Sequence, residues 1–213
     1  MKNTIILFDL DGTLIDSTEA ILESFRVAYD AFGETVPPRK AITALIGKPL
    51  HGMFSDLGIS QDRIAKYVQA FREHYGRISQ SKTVLLPGVR TAVERAAAFA
   101  HLGIVTTKNG HFSRQLMEHF KLMEFFDVLI GEEDVRHPKP HPEPIQKALQ
   151  ALPAVTGRRY MVGDTCMDMA AAQASGTVGM GVLCGYSSRA VLTQCTENLF
   201  ENVPDAVTQI AKG

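Results

Sequence analysis

The chain has 213 residues, a formal net charge of −1, 45% hydrophobic residues and 21% charged residues, which predicts a soluble globular protein of one large domain or of one domain with an insertion. Lysine and arginine form no block along the chain, so we expect neither a nucleic-acid partner nor a membrane-surface partner. Every apolar run is far shorter than the ~20 residues of a membrane span.

The first predicted element is a buried strand, because "TIILF" at residues 4–8 is a continuous apolar, β-branched run. Two acids, Asp9 and Asp11, follow it directly. They interrupt the apolar run at once, which favours a core strand of a cytoplasmic protein over a signal peptide. Aspartate is a poor strand residue and is costly to bury unpaired, so the pair calls for a functional explanation.

The next stretch, from about residue 18 to residue 82, has helical periodicity and no convincing strand. Apolar residues repeat with helical spacing over residues 20–32 and again over residues 64–75. Turn-forming residues separate these segments at "FGETVPP", "IGKPL" and "LGIS". We therefore predict an all-helical insert after the first strand, lying over the strand's carboxyl end, where open α/β sheets bind ligands.

Strands and helices alternate in the rest of the chain. Short apolar runs predict further strands at residues 103–107, 126–130, 160–162 and 178–183. Helical spacing falls between the later runs, at residues 89–97, 112–120 and 145–149. Such alternation with short connections predicts an α/β fold whose parallel sheet carries helices on both faces.

Three cysteines, Cys166, Cys184 and Cys195, are widely spaced and form no CxxC or Cys/His cluster. Zinc binding is therefore not indicated. We expect reduced thiols, as in a reducing compartment.

Four short motifs stand at the carboxyl ends of predicted strands or in loops beside them. They are Asp9-x-Asp11-Gly12-Thr13, Thr106-Thr107-Lys108, Lys139 within "HPKPHPEP", and Gly163-Asp164-x-x-x-Asp168. In a parallel sheet these ends share one edge, so the motifs can converge. Each motif alone has an ordinary structural explanation, such as a turn or a helix start, but their order and placement together favour a site.

The charge balance of the motifs indicates a ligand. Four converging aspartates would repel one another, and a divalent cation such as Mg²⁺, which prefers carboxylate and phosphate oxygens, would compensate them. Lys139 supplies a fixed positive charge and Thr106 a hydroxyl donor, which together suit a phosphate group. Asp9 can then attack phosphorus while Asp11 moves the proton, and Gly12 allows a sharp turn.

The motifs resemble those of the haloacid dehalogenase superfamily of phosphatases. "FDLDGTLIDS" is similar to its first motif, and "VTTK", the lysine of "HPKPHPEP" and "VGDTCMDM" follow in the same order as the other three. The resemblance covers the whole chain and is greatest to the phosphoglycolate phosphatase and pyrophosphatase group. It implies a Rossmann-like core, residues 1–16 and 83–213, with a helical cap domain, residues 17–82. It also implies Mg²⁺-dependent phosphoryl transfer through a phosphoaspartate, catalysed by a phosphoric monoester hydrolase.

Roles for individual residues follow from the same resemblance. Asp9 would be the nucleophile and Asp11 the general acid and base. The implied metal ligands are Asp9, Asp164 and the backbone carbonyl of Asp11. The implied phosphate-binding residues are Thr106, Thr107 and Lys139. Gly12, Thr13 and Asp168 would support the site, Asp168 by holding a metal-bound water or by orienting Lys139.

Substrate choice is expected to lie in the cap, which closes over the leaving group. Lys48 of "IGKPL" either binds an anionic leaving group there or is a solvated turn lysine, and the sequence leaves both readings open. His137 and His141 flank Lys139 and either cap the loop or face the pocket.

Two other functions remain open from sequence. One is a sugar phosphomutase with the same active site, and the other is a non-catalytic relic that binds phosphorylated ligands. We expect a small phosphorylated metabolite as substrate. The oligomeric state, monomer or dimer, is not indicated.

Overall fold

The computed structural model describes residues 2–213. Its strands are β1 Thr4–Phe8, β2 Ile15–Asp16, β3 Val84–Leu85, β4 Ala100–Val105, β5 Val128–Ile130, β6 Arg159–Gly163, β7 Val178–Val182 and β8 Leu199–Phe200. Its α-helices are α1 Thr18–Asp30, α2 Arg39–Thr43, α3 Leu50–Asp56, α4 Gln61–Ile78, α5 Val89–Phe99, α6 Gly110–His119, α7 Glu143–Ala151, α8 Cys166–Ala174, α9 Arg189–Leu192 and α10 Val203–Lys212.

Six strands form one parallel sheet in the order β5-β4-β1-β6-β7-β8. β1 lies near the centre, where Leu7 pairs with Gly103 of β4 on one side and with Met161 of β6 on the other. Successive β1 residues point to opposite faces, and each face packs into its own apolar cluster. This double burial explains why the β1 sequence is apolar throughout rather than alternating.

The predicted α/β fold with a parallel sheet and a helical insert is confirmed. The sequence-based boundaries differ locally, since β4 begins at residue 100 rather than 103. β2, β3 and β8 were not predicted, because strands of two residues are too short to show any periodicity.

Helices α1–α4 occupy the insert and pack around an apolar cluster of their own. Its centre is aromatic, with Phe25 of α1 against Phe54 of α3 and Phe71 of α4. Phe112 of α6 and Tyr186 also pack against this cluster, so the insert rests directly on the sheet domain.

The chain enters and leaves the insert through a two-stranded antiparallel ribbon. β2 and β3 pair at Ile15 with Leu85 and at Asp16 with Val84. β2 begins four residues after Asp11, so the ribbon is continuous with the first motif.

The expectation of three reduced thiols is wrong for two of them. Cys166, at the start of α8, forms a disulfide with Cys195, 29 positions further along, with the two Cα atoms 5.6 Å apart. The turn after α9 brings Cys195 back to the start of α8, a proximity that wide spacing in the sequence does not reveal. Cys184 is the free cysteine.

Across residues 2–213, every helix is too short or too polar to cross a bilayer.

Candidate active site

The four motifs meet at the carboxyl edge of the sheet. Asp9 follows β1, Thr106 follows β4, and Asp164 follows β6. Lys139 lies in the loop before α7. The parallel order of the strands therefore collects residues that are up to 155 positions apart in the sequence.

Three buried carboxylates, Asp9, Asp164 and Asp168, form what we term the acid cluster, in which one oxygen of each residue lies within 4.8 Å of the others. The ammonium of Lys139 joins it. Lys139 Nζ lies 2.8 Å from Asp9 Oδ1 and 2.6 Å from Asp168 Oδ1, and it donates a hydrogen bond to the Val105 carbonyl at 2.9 Å. Two acids of the cluster thus share one buried cation.

Further hydrogen bonds fix Asp168 and Asp164 of the cluster in place. Thr165 donates to Asp168 Oδ2 through its backbone N–H at 3.0 Å and through its hydroxyl at 2.7 Å, which caps the start of α8. Asp164 accepts hydrogen bonds from the Thr13 hydroxyl at 3.1 Å and from the Tyr186 backbone N–H at 2.8 Å. The carboxylate orientations are therefore set before any ligand arrives.

Gly12 makes room for this arrangement. Its φ of +84° lies in the left-handed region that favours glycine, and a Cβ there would collide with the Asp164 carboxylate. This close approach explains the glycine of the first motif and supports the predicted sharp turn.

Burial dominates the protonation of the acid cluster. It raises the pKa of Asp9 to about 7, with the Lys139 ammonium lowering that pKa and the Asp168 carboxylate raising it. Burial and the neighbouring carboxylates also hold the pKa of Asp164 well above its usual range. For Lys139, burial lowers the pKa, but the carboxylates of Asp168 and Asp9 outweigh it and raise the pKa above its ordinary value. The cluster is short of positive charge.

The residues present fit a divalent cation. Asp9 Oδ1 is buried, and although it is paired with Lys139 it makes no hydrogen bond of good geometry. Carboxylate oxygens converging around such a free acceptor are the donors that hard cations prefer. A cation bound there would also favour the charged forms of the acids.

Asp11 turns away from the acid cluster toward the helical insert. Lys108 Nζ lies 2.8 Å from Asp11 Oδ2, and the Ser17 hydroxyl donates to Asp11 Oδ1. The Lys108 ammonium also lies 4.7 Å from the ring centroid of Tyr75 on α4. Burial lowers the pKa of Lys108, but Asp11 and Tyr75 outweigh it and raise that pKa above its ordinary value.

The two threonines of the second motif are both buried but have different partners. Thr106 Oγ1 accepts a hydrogen bond from the Lys108 backbone N–H at 3.1 Å. Thr107 Oγ1 donates to the Gly47 carbonyl at 2.7 Å. The second bond ties the sheet domain to the "IGKPL" loop of the insert.

A cavity of about 60 Å³ lies between the insert and the sheet domain. Asp11, Thr107 and Lys108 line it from the sheet domain, and Arg72 and Tyr75 of α4 line it from the insert. The general acid expected from sequence therefore borders a cavity of small volume.

Three residues considered from sequence have other surroundings. Lys48 lines the cavity, but its ammonium is paired with Asp56 at 2.7 Å, and both side chains are 44% exposed. His137 and His141 are exposed, and His137 Nδ1 lies 2.9 Å from Glu143. The two histidines and Glu143 lie close enough together to ligate a metal at the surface. The side chains of both histidines are exposed to solvent, whereas that of Lys139 is buried.

Three further residues of the site were not predicted. Lys108 is part of the second motif, but its ion pair with Asp11 depends on the distance between the ends of β1 and β4, which the sequence does not give. Thr165 could have been found from the capping pattern Thr-x-x-Asp before a helix. Tyr186 acts through its backbone N–H, for which there is no sequence signal.

Comparison with known proteins agrees with this architecture. The family model described as haloacid dehalogenase-like hydrolase matches residues 6–182. A pyrophosphatase PpaX from Bacillus cereus is 36% identical over 194 residues, covering 90% of this chain and 88% of the relative.

Two solved structures share the fold. A haloacid dehalogenase-like family hydrolase from Streptococcus pneumoniae has a TM-score of 0.86 and 26% identity, covering 97% of both chains. A protein described as a predicted phosphoglycolate phosphatase from Haemophilus somnus 129pt has a TM-score of 0.88 and 22% identity, covering 97% of both chains.

These matches confirm the predicted enzyme class, a hydrolase of the haloacid dehalogenase type with phosphatase relatives. The family model spans most of the chain, from β1 to β7, and includes all four motifs. The chain therefore belongs to the haloacid dehalogenase-like hydrolase family.

Proposed function

We propose that this hydrolase is a Mg²⁺-dependent phosphatase of small phosphorylated metabolites that works through an aspartyl-phosphate on Asp9. The observation that carries the proposal is the acid cluster with the buried Lys139 ammonium between Asp9 and Asp168. A carboxylate beside a fixed cation can attack a phosphate group whose own negative charge would otherwise repel it.

In the proposed first step, an Asp9 carboxylate oxygen attacks phosphorus while the bond from phosphorus to the leaving oxygen breaks. Asp11, as the carboxylic acid, gives its proton to that leaving oxygen. In the second step, the Asp11 carboxylate takes a proton from water, and the water oxygen attacks phosphorus. The bond from phosphorus to Asp9 then breaks, which releases inorganic phosphate and restores the Asp9 carboxylate.

The remaining motif residues bind and orient in this proposal. Lys139, Thr106 and Thr107 would bind the phosphate oxygens. Asp168 would orient Lys139, which it contacts at 2.6 Å. Thr13 supports the site through its hydrogen bond to Asp164.

The proposed Mg²⁺ ligands are Asp9, Asp164 and the backbone carbonyl of Asp11. The cation would supply positive charge that offsets the buried carboxylates and the phosphate oxygens. The free acceptor Asp9 Oδ1 and the raised pKa values of Asp9 and Asp164 support this part of the proposal.

We propose phosphoglycolate or a pyrophosphate-like compound as substrate. The relatives named pyrophosphatase and phosphoglycolate phosphatase support this class. The cavity volume of about 60 Å³ supports a small leaving group, since a single water needs about 10–15 Å³ on a comparable measure. Lys48 is a candidate for binding an anionic leaving group, provided that it releases Asp56.

Residues 17–82 are proposed to form a cap domain that moves on the β2–β3 ribbon, and their separate apolar cluster supports this division. We also propose a cytoplasmic location. Fractionation of cells that express the protein tests it, and recovery of the protein outside the cytoplasmic fraction would contradict it.

The central experiment measures inorganic phosphate released from p-nitrophenyl phosphate and from a panel of phosphorylated metabolites, with Mg²⁺ or with EDTA. We expect turnover only with Mg²⁺, and kcat/KM ranks the substrates. Isomerised sugar phosphate without phosphate release would indicate the phosphomutase instead. Absence of turnover on every ester would indicate the phospholigand-binding relic.

A trapping experiment tests the covalent step. Beryllium fluoride with Mg²⁺ should form an aspartyl-phosphate mimic on the wild-type protein, observable by fluorine NMR. Asp9→Asn should not form the adduct, and an adduct that survives this substitution would contradict the assignment of Asp9.

A further inference from the structure

Two hydrogen-bond donors on α4 are buried without a partner. Among the described residues, Arg72 Nε and Tyr75 Oη make no hydrogen bond of good geometry, although the side chains of Lys108 and Ser17 lie beside the Tyr75 hydroxyl, and the Tyr75 side chain is almost fully buried. Both residues line the cavity between the insert and the sheet domain. Because residues three apart on a helix share a face, we term this pair the cap wall.

An unpartnered buried donor is costly, by about 1–3 kcal/mol. A ligand that supplies the missing acceptors would offset this cost, and the two donors of the cap wall border the same space as Asp11. A ligand that accepts hydrogen bonds from both donors must carry acceptor oxygens, because neither the guanidinium N–H of Arg72 nor the hydroxyl of Tyr75 can donate to an apolar group.

The charges around the cavity favour an anion over a neutral acceptor. Arg72 is held at one end by Glu132, with Nη2 2.8 Å from Oε2, which leaves its Nε–H free. Lys108 adds a second cation, whose ammonium lies over the Tyr75 ring. The lining carries the cations of Lys48, Arg72 and Lys108 and the carboxylates of Asp11 and Glu132, and Asp56, outside the lining, is paired with Lys48.

The cavity also limits what the ligand can be. A volume of about 60 Å³ holds roughly five water-sized atoms if each needs about 10–15 Å³. Phe71 and Phe112 contribute apolar lining, which lowers the local polarity and strengthens charge-assisted hydrogen bonds. A carboxylate on one or two carbons or a single phosphate group fits this space.

We propose that Arg72 and Tyr75, with Lys108, bind an anionic oxygen group carried by the leaving group, so that the cap wall selects small phosphate compounds with a second acidic group. This inference rests on the proposed phosphatase function and names the residues that read its substrate. The carboxylate of phosphoglycolate and the second phosphate of pyrophosphate share the required chemistry.

The test compares substrates that differ in one charge. Phosphoglycolate is set against its carboxamide, carbamoylmethyl phosphate, which has nearly the same size and a neutral leaving group, and pyrophosphate forms a separate arm. The readout is the ratio of kcat/KM for the anionic substrate to kcat/KM for the amide. From the strength of hydrogen bonds to charged groups, we expect this ratio to fall about 10- to 100-fold in Arg72→Gln and about 5- to 10-fold in Tyr75→Phe.

Matched controls exist within the helical insert. Tyr29 Oη of α1 is also buried without a partner but does not line the cavity, and Arg77 of α4 is exposed. Tyr29→Phe and Arg77→Gln should leave the ratio within about twofold. Tyr75→Phe removes only a hydroxyl, so it keeps the test valid if loss of the Arg72–Glu132 contact unfolds Arg72→Gln.

The outcomes separate this inference from the proposed function. Wild-type turnover of the amide with an unchanged ratio in Arg72→Gln and Tyr75→Phe would overturn the role of the cap wall and leave the phosphatase standing. A ratio that falls equally in the control variants would do the same. An inactive wild-type protein would overturn both. Loss confined to the pyrophosphate arm or to the phosphoglycolate arm would identify which anion the cap wall reads.

Discussion

The acid cluster and the cap wall lie on opposite sides of the active site and differ in the kind of polar atom that lacks a well-formed hydrogen bond. In the acid cluster both carboxylate oxygens of Asp164 and Asp168 accept hydrogen bonds, whereas the buried acceptor Asp9 Oδ1 is paired with Lys139 without a hydrogen bond of good geometry. In the cap wall the free atoms are donors, Arg72 Nε and Tyr75 Oη. Under the proposed function, the sheet domain would hold the cation and the insert would hold the anionic part of the leaving group. The residues that would bind the phosphate common to all substrates are already paired with one another, whereas the residues that would distinguish substrates lack partners.

Asp11 lies between the two regions, and its substitution tests whether this residue transfers the proton in the proposed reaction. Asp11→Asn keeps the shape but cannot exchange a proton, so turnover should fall about 10²- to 10⁴-fold. Asp30→Asn, on the exposed end of α1, serves as the control. The measurement is kcat for p-nitrophenyl phosphate with Mg²⁺, and wild-type turnover in Asp11→Asn would show that proton transfer does not involve this residue.

Lys139→Met removes the cation on which the acid cluster depends. Breaking a buried ion pair leaves uncompensated charge, so the free energy of unfolding should fall by about 3–5 kcal/mol. Urea denaturation at neutral pH measures it. Lys147→Met on the exposed face of α7 should cost less than about 0.5 kcal/mol, and an equal loss in both variants would mean that the buried pairing contributes nothing special.

Mg²⁺ should stabilise the protein more at high pH than at low pH. Without metal, folded Asp9 keeps its proton to a pKa of about 7, whereas the unfolded value is 3.8. The folded state then binds more protons in that range, so stability falls as the pH rises from about 4 to 7. A cation competes with this proton and offsets the loss.

Thermal unfolding with and without Mg²⁺ at pH 5 and pH 8 measures the effect. At about 100 times Kd we expect Tm to rise roughly 5–10 °C at pH 8, and clearly less at pH 5. Asp164→Asn should abolish the increase. The same increase at both pH values would argue against proton competition in the acid cluster.

Lys48→Ala is expected to have the smallest effect. Its ammonium is exposed and paired with Asp56, and exposed pairs of this kind contribute little. KM for phosphoglycolate should rise about twofold to threefold, with the aryl phosphate unchanged and Lys40→Ala as the control. If Lys48→Ala impaired turnover of phosphoglycolate as strongly as Arg72→Gln does, the anion site would be assigned to the "IGKPL" loop instead of the cap wall.

The two regions also differ in how far sequence could predict them. The acid cluster was accessible because Asp9 and Asp164 directly follow apolar strands, and parallel strands bring their carboxyl ends to one edge. The cap wall could not be predicted from sequence. Tyr75 falls in the apolar repeat of α4 and is indistinguishable there from a core aromatic, and Arg72 stands among other charged residues of that helix.

The sequence does not give the distances between secondary-structure elements. The pairing of Lys108 with Asp11 depends on how far apart β1 and β4 end, and the disulfide of Cys166 with Cys195 depends on the return of the chain after α9. Similarly, β8 is a strand only because it adds to β7 at the edge of the sheet. Local patterns do not contain these tertiary distances.

The β2–β3 ribbon also bears on how such an enzyme could be taken apart and rebuilt. Because Asp16 and Val84 are paired neighbours, the two ends of the helical insert leave the sheet domain side by side. A foreign domain with adjacent termini could be spliced in at that point, and a two-residue hairpin turn could replace the insert altogether. The ribbon is therefore a suitable point for exchanging one insert for another while Asp11, four residues before β2, keeps its place.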